Sequence, residues 1–349
     1  MDSSVSTPPY ALSPMQTGML FQSLYNSKTG VDVEQLVCSF ANIDIATLEF
    51  AWQQVWQTNG ILRTGFDWFG RDQPIQIVQD ELALPWQYLD WRNDSIDFSE
   101  KFESFLRQDR RTGFKLDQPP LMRLTLIQLA EHSFKLVWTF HHILLDGRAF
   151  PIIIKQMALN YEAHHQGTMI PSQGLPSYRD YIAWLETQEL SGARAYWKDL
   201  LQGVKNPTPL GISHPQPPLF EGEQEYGVIN THLPVELTET LVRLANQYSL
   251  TVNTILQGAW AILLNRYSGE QDIVFGSIRT SRRSALGVPG MNEMVGLLIN
   301  TLPVRQLDSN RRVHVAFENL FPRSGSHGHH VRLRVRAGQS DRNLVGTRQ

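Results

Sequence analysis

Cysteine is almost missing: Cys38 is the only one in 349 residues, so no disulfide forms within the chain and neither a CxxC pair nor zinc-finger spacing exists. A surplus of positive charge is missing as well. The 31 Lys and Arg residues stand against 34 Asp and Glu, for a net charge of -3, whereas nucleic-acid binders need a concentrated basic surface. No apolar run approaches the length of a membrane span, and the first residues lack the basic start and apolar run of a signal peptide, so the expected location is the cytoplasm. The glycine fingerprint of nucleotide folds is absent too, along with the regular strand-helix-strand rhythm that goes with it. What is present is the composition of a globular protein, 42% hydrophobic and 19% charged, in a chain long enough for two ordinary domains or one large one.

The apolar residues follow both helical and strand periods, which defines an α+β class. Ser13-Pro14-Met15-Gln16 combines a capping serine, a proline at the first helical position and a glutamine placed to complete a capping box, predicting a helix to about Tyr25. Residues 34–40 read as a strand and 46–57 as an amphipathic helix with Leu48, Ala51, Trp52 and Val55 on one face. Strands are expected at 62–68 and 74–78, a helix over 98–110, and a hairpin from Leu121 to Leu129 and Ser133 to Phe140 around Ala130-Glu131-His132. A single helix is expected over 178–201. The prolines at 207, 209, 215, 217 and 218 give the clearest linker signal, so a domain boundary is expected at 205/206. Beyond it the pattern predicts a strand over 226–233, a helix over 234–248 and an apolar helix over 255–267 capped by Thr251, with Leu256, Ala259, Ile262 and Leu263 in the core. Strands at 272–276 and 297–304 follow.

One stretch concentrates chemistry: Phe140-His141-His142-Ile143-Leu144-Leu145-Asp146-Gly147. It lies between the alternating strand pattern of 133–140 and a helix start near Pro151. Successive strand side chains point to opposite faces, so His141 and His142 do not share a cavity unless the backbone twists between them. One ring is then chemical and the other structural, and parity alone does not choose; a pair of core rings at a strand end is the plainer alternative. Asp146 is suited to holding a loop or orienting a ring, and Gly147 to a sharp turn or close approach of a ligand. If the hairpin turn centres on Glu131, pairing carries Arg123 level with Thr139 to His141, so an Arg123–Asp146 ion pair is expected.

His141-His142-x-x-x-Asp146-Gly147 resembles the HHxxxDG motif of the chloramphenicol-acetyltransferase-like acyltransferases, and especially of nonribosomal peptide synthetase condensation domains. Four other stretches resemble that family's motifs in the same order: Leu12 to Phe21, Leu62-Arg63-Thr64-Gly65-Phe66, Tyr178 to Trp184 and Val295 to Arg305. The resemblance implies two acetyltransferase-like lobes in a V-shaped pseudo-dimer, with the first lobe over 1–205 and an incomplete second lobe over 206–320. It implies amide-bond formation between aminoacyl or peptidyl thioesters on upstream and downstream peptidyl carrier proteins of adjoining synthetase modules. No cofactor or metal is bound directly, the phosphopantetheine arms belonging to the partners. By the same resemblance His142 corresponds to the family's functional histidine, His141, Asp146, Gly147 and Arg123 are expected to support it, and Asn300 and Thr301 are expected to line the channel. An inactive truncated fragment that at most docks carrier proteins and an epimerisation domain of the same fold are the alternatives.

Arg148 and the run from Arg279 to Ser284 depart from the family pattern. The larger departure is residues 321–349. From Pro322 onward they hold six arginines, no lysine and a single acid, Asp341, around Ser-Gly-Ser-His-Gly-His-His, with only a short alternation of Val331, Leu333 and Val335. They are expected to form a disordered or frame-shifted tail, in which His327, His329 and His330 bind metal at most adventitiously.

Overall fold

The computed structural model describes residues 8–25, 32–93, 98–168, 170, 174, 176–210, 231–283, 288–307, 312–315 and 331–334. The described residues form two compact units, one within Met1–Gln188 and Ile278–Asn300, the other within Glu189–Pro218, Glu225–Ser277 and Thr301–Gln349. These units do not coincide with the lobes expected from the linker signal. Arg282, Gly296, Leu297 and Leu298 belong with the first unit, where they meet Asp146 and Tyr178.

In the first unit, strand β1 (Tyr10–Ala11) leads into helix α1 (Pro14–Tyr25). The expected capping box is present: the Gln16 N–H donates to Ser13 Oγ at 3.2 Å and the Ser13 N–H to Gln16 Oε1 at 3.0 Å. Strand β2 (Val33–Ala41) is followed by helix α2 (Ile45–Thr58), whose Leu48, Ala51, Trp52 and Val55 are buried as the helical period requires. Strands β3 (Thr64–Asp67) and β4 (Ile75–Val78) pair antiparallel, with β1 on the far side of β4. Gly65 of β3 has no room for a side chain, since a Cβ there would lie 2.6 Å from Pro119 Cδ.

Strand β5 (Trp86–Asp90), helix α3 (Phe98–Thr112) and strands β6 (Met122–Ala130) and β7 (Ser133–His141) complete a four-stranded sheet in the order β2-β7-β6-β5. The β6–β7 hairpin and the β2–β7 pair are antiparallel, and β5 runs parallel to β6. Sequence reasoning missed β5, an edge strand whose exposed Gln87 and Tyr88 break the apolar alternation. The two faces of β7 behave as its period predicts. Phe134, Leu136, Trp138 and Phe140 enter the main core with Trp52 and with Phe150 of helix α4 (Ala149–His165), while Val137 packs with Ile127 and Phe102 of α3.

The helix expected over 178–201 is two: α5 (Tyr178–Glu186) and α6 (Ser191–Leu200). The break has a local cause. Thr187 Oγ1 and Gln188 Nε2 both donate to the Trp184 carbonyl, at 2.7 and 2.9 Å, capping α5 with side chains.

The second unit contains α6, α7 (Val235–Gln247) and α8 (Val252–Ser268), the last capped by Thr251 Oγ1 as expected. Strands β8 (Asp272–Thr280) and β9 (Ile299–Leu307) form a two-stranded sheet. Arg305 is clamped by both oxygens of Asp272 and donates to the carbonyls of Leu200 and Gln202. The core face expected for α8 is the wrong one. Leu256, Ala259, Ile262 and Leu263 are exposed, and Thr254, Gly258, Ala261 and Leu264 point inward. The middle of the helix, Gly258 to Leu264, has no polar side chain to orient its period, so sequence did not select the side.

Of the strand expected over 226–233, residues 231–233 are not in a strand, and residues 226–230 and most of the proline-rich stretch lie outside the described residues. So does most of the tail, including His327, His329 and His330. Its Val331–Arg334 forms strand β11, paired antiparallel with β10 (Arg312–Val315), so the described residues of the tail expected to be disordered are in a strand.

Candidate active site

Strand β7 delivers the two histidines at its end. The His141 N–H still donates to the Leu121 carbonyl at 2.9 Å, whereas the His142 N–H donates to the carbonyl of Asp32 at 2.7 Å. The chain then turns: the Leu144 and Leu145 N–H groups donate back to the carbonyls of His141 and His142, which sends Ile143, Leu144 and Leu145 into the core. Gln16 of α1 holds the turn from outside, its Nε2 donating to the Ile143 carbonyl at 3.3 Å. Gln16 is itself paired with the buried side chain of Gln76 and so cannot swing away without stranding buried amides.

Asp146 closes the loop and is fully buried. Its Oδ1 accepts from the N–H groups of Arg148 and Ala149 and from Nη2 of Arg282, each at 3.0 Å, and its Oδ2 accepts from the Leu298 N–H at 2.9 Å. The carboxylate thus caps the start of α4 and ties residues 282 and 298 to the loop. Arg282 is 3% exposed and spends its other terminal nitrogen on the carbonyls of Met291 and Met294, at 3.0 and 2.7 Å. A buried pair of this kind persists because its charges are neutralised and hydrogen-bonded together.

The expected Arg123–Asp146 pair is therefore corrected. The register behind it is right, Arg123 standing opposite Thr139. The face is wrong: Arg123 points to α3, where it pairs with Asp109 and lies 4.4 Å over the Phe114 ring, and Thr139 donates to the same Asp109 carboxylate. The true partner, Arg282, sits inside the run Arg279 to Ser284, noticed in sequence only as a departure from the family pattern.

The two rings differ as parity requires. His141 is buried, its Nδ1 accepting from the Ile143 N–H at 3.1 Å and its Nε2 lying 3.3 Å from Ser23 Oγ; burial pushes its pKa from 6.5 down to about 4. His142 is half-buried, and its Nδ1 has no hydrogen-bond partner among the described residues. Gly147 is exposed, and a Cβ added there would meet nothing within 4 Å. Its glycine is therefore required neither by packing nor by a positive φ, which leaves open space beside the loop.

The later motifs support the same loop. The Tyr178 hydroxyl donates to the Leu297 carbonyl at 3.0 Å, and its ring leaves no space for a side chain at Gly296, where a Cβ would lie 2.2 Å from Tyr178 Cδ2. The Asp146 N–H donates to the Gly296 carbonyl. Asn300 and Thr301 lie in β9, Asn300 two residues beyond the Leu298 N–H that Asp146 holds. Among the described residues no group of three His, Cys, Asp or Glu is placed to hold a metal ion, and no helix is long and apolar enough to cross a membrane.

The chain has counterparts among known proteins. The model of the condensation domain family matches residues 7–318. A linear gramicidin synthase polypeptide of Brevibacillus parabrevis is 41% identical over 304 residues, which are 85% of this chain and 6% of that protein. A mycosubtilin synthase polypeptide of Bacillus subtilis is 37% identical over 298 residues, 85% of this chain and 11% of that protein. Among solved structures, the starter condensation domain of rhizomide synthetase, a mutant in complex with C8-CoA, superimposes with a TM-score of 0.68 at 24% identity, covering 89% of this chain and 69% of that one. The first condensation domain of the calcium-dependent antibiotic synthetase gives 0.66 at 19% identity, covering 86% and 70%. The chain belongs to the condensation domain family, has its mixed α and β fold, and spans a small fraction of the synthetases it matches.

Proposed function

We propose that this chain forms peptide bonds between thioesters carried on the phosphopantetheine arms of upstream and downstream peptidyl carrier proteins, as a condensation domain of a cytoplasmic nonribosomal peptide synthetase. The α-amine of the acceptor attacks the donor thioester carbonyl. A C–N bond forms and the C–S bond breaks, the amine gives up a proton and the departing thiolate takes one. His142 is the group to move or hold that proton. An imidazole nitrogen with a free lone pair can accept the proton of the attacking amine and return it to the leaving thiolate. Asn300 and Thr301 are the proposed lining of the substrate channel, and the proposed architecture is one of acetyltransferase-like lobes.

The observation that carries the reading is the contrast inside the motif: the side chains of His141 and Asp146 are hydrogen-bonded into the fold, and the half-buried His142 ring has its buried Nδ1 without a partner among the described residues. General-base help is worth about 10²- to 10⁴-fold, while alignment of two tethered reactants reaches effective molarities of about 10⁵ to 10⁸ M. His142→Ala is therefore expected to lower dipeptidyl product formation by at least about tenfold, with both carriers still binding. Unchanged turnover, measured by mass spectrometry of the carrier-bound product, refutes the role.

A further inference from the structure

Asp32 reaches both histidines with different atoms. Its backbone carbonyl accepts the His142 N–H at 2.7 Å. Its Oδ2 accepts from the Ser23 hydroxyl at 2.6 Å, and Ser23 Oγ lies 3.3 Å from Nε2 of His141. The proton directions follow from the inventory of donors. An ionised carboxylate only accepts, so Ser23 gives its single proton to Asp32 and keeps its lone pairs for the ring. On the far side of the ring Nδ1 already accepts from the Ile143 N–H at 3.1 Å. The proton of the neutral imidazole is thus on Nε2, donated to Ser23.

We propose that Ser23 and Asp32 are positioning residues for the amide-forming reaction: the chain Asp32–Ser23–His141 holds His141 neutral in one tautomer and, through the Asp32 backbone, fixes where His142 stands. The proposal rests on the reading of His142 as the proton-handling residue. Its physical sense is electrostatic. A second proton on His141 has no site, because it would confront the Ile143 N–H, and the burial that depresses the ring's pKa acts the same way. The titratable groups that bear on the ring are Asp32 and His142. A cation at His141 would repel positive charge arriving at its neighbour, and a neutral His141 removes that repulsion. Ser23 also spans two elements, α1 and the turn before β2, so the tilt of α1 is coupled to the place of the motif.

The test uses the full chain with nitrogen-15-labelled imidazoles. In the wild type, His141 is expected to show the Nε2–H pattern unchanged from pH 7.5 to 5. In Ser23→Ala the ring is expected to exchange between tautomers and to take up protons at higher pH, and kcat for dipeptide formation to fall about tenfold with KM for both carriers unchanged. Ser23→Thr, which keeps the hydroxyl, restores both readouts. A merely structural serine would lower the melting temperature without moving the tautomer. A wild-type ring protonated on Nδ1, or Ser23→Ala with wild-type turnover, overturns the proposal. If His142→Ala proves fully active, the base assignment fails, and the tautomer spectra of the wild type still decide whether the relay exists.

Discussion

Trp138 in the first unit is 1% exposed and Trp260 in the second 42%, although both sit in regular elements rich in apolar neighbours. The contrast extends to their surroundings. Trp138 stands in a continuous core that includes Trp52, Phe140 and the Ile143 to Leu145 turn, with the motif's polar groups set against it. Among the described residues of the second unit, the buried apolar cluster is Ala261, Leu264 and Ile273, with Phe275 against it. Placing a ring to within a fraction of an ångström takes packed neighbours that fix its rotamer and its backbone. The first unit has that support, which the chemistry proposed for His142 requires.

The largest effect expected from breaking this contrast is at Asp146. Asp146→Ala strands the buried Arg282 guanidinium, along with the N–H groups of Leu298, Arg148 and Ala149. The expected loss is about 3 to 5 kcal/mol, seen as a fall in the urea midpoint. A soluble variant with the wild-type midpoint and no activity would show instead that Asp146 belongs to the chemistry rather than to the fold.

This same pair marks how far the sequence could be read. The capping box at Ser13, the α2 face, the β6–β7 register and the helix after the motif all follow from local periods and local caps, and the structure has them. The separation of the two histidines into a buried and a half-open ring was legible from strand parity. The partner of Asp146 was not, because register fixes which residues are level but not which side of the sheet a loop folds over, and Arg282 arrives from 136 residues away. The roles of Ser23, Asp32 and Gln76 were hidden for the same reason. Each is an ordinary polar residue until distant segments meet. The inward face of α8 failed differently, since the stretch from Gly258 to Leu264 has no polar side chain to orient its period.

A smaller effect is expected from acid. Burial lowers the His141 pKa from 6.5 to about 4, so between those values the unfolded chain binds a proton that the folded chain refuses. Stability is therefore complete above about pH 6.5 and falls as the pH drops toward 4, with an integrated loss of about 3 kcal/mol at most. Urea midpoints at pH 7 and pH 5 measure it. His141→Gln, which has no such proton to take up, is expected to flatten that slope. An unchanged slope would mean that the ring is hydrated and the first unit less tightly closed over its motif than the comparison requires.

The smallest effect is expected at Trp260 itself, and it is the sharpest test of the contrast. An exposed aromatic side chain has little buried area to lose, so Trp260→Ser is expected to change stability by no more than about 0.5 kcal/mol. Trp138→Ala, by removing a ring from a packed core, is expected to cost about 3 to 5 kcal/mol. The two substitutions delete comparable aromatic surfaces, so the difference between their urea midpoints reports burial rather than residue type. A loss of about 2 kcal/mol or more at Trp260 is the scale of burying a large apolar side chain. It would mean that the Leu256, Trp260 and Leu263 side of α8 is covered in the folded protein, and that the second unit holds a core of its own on that side.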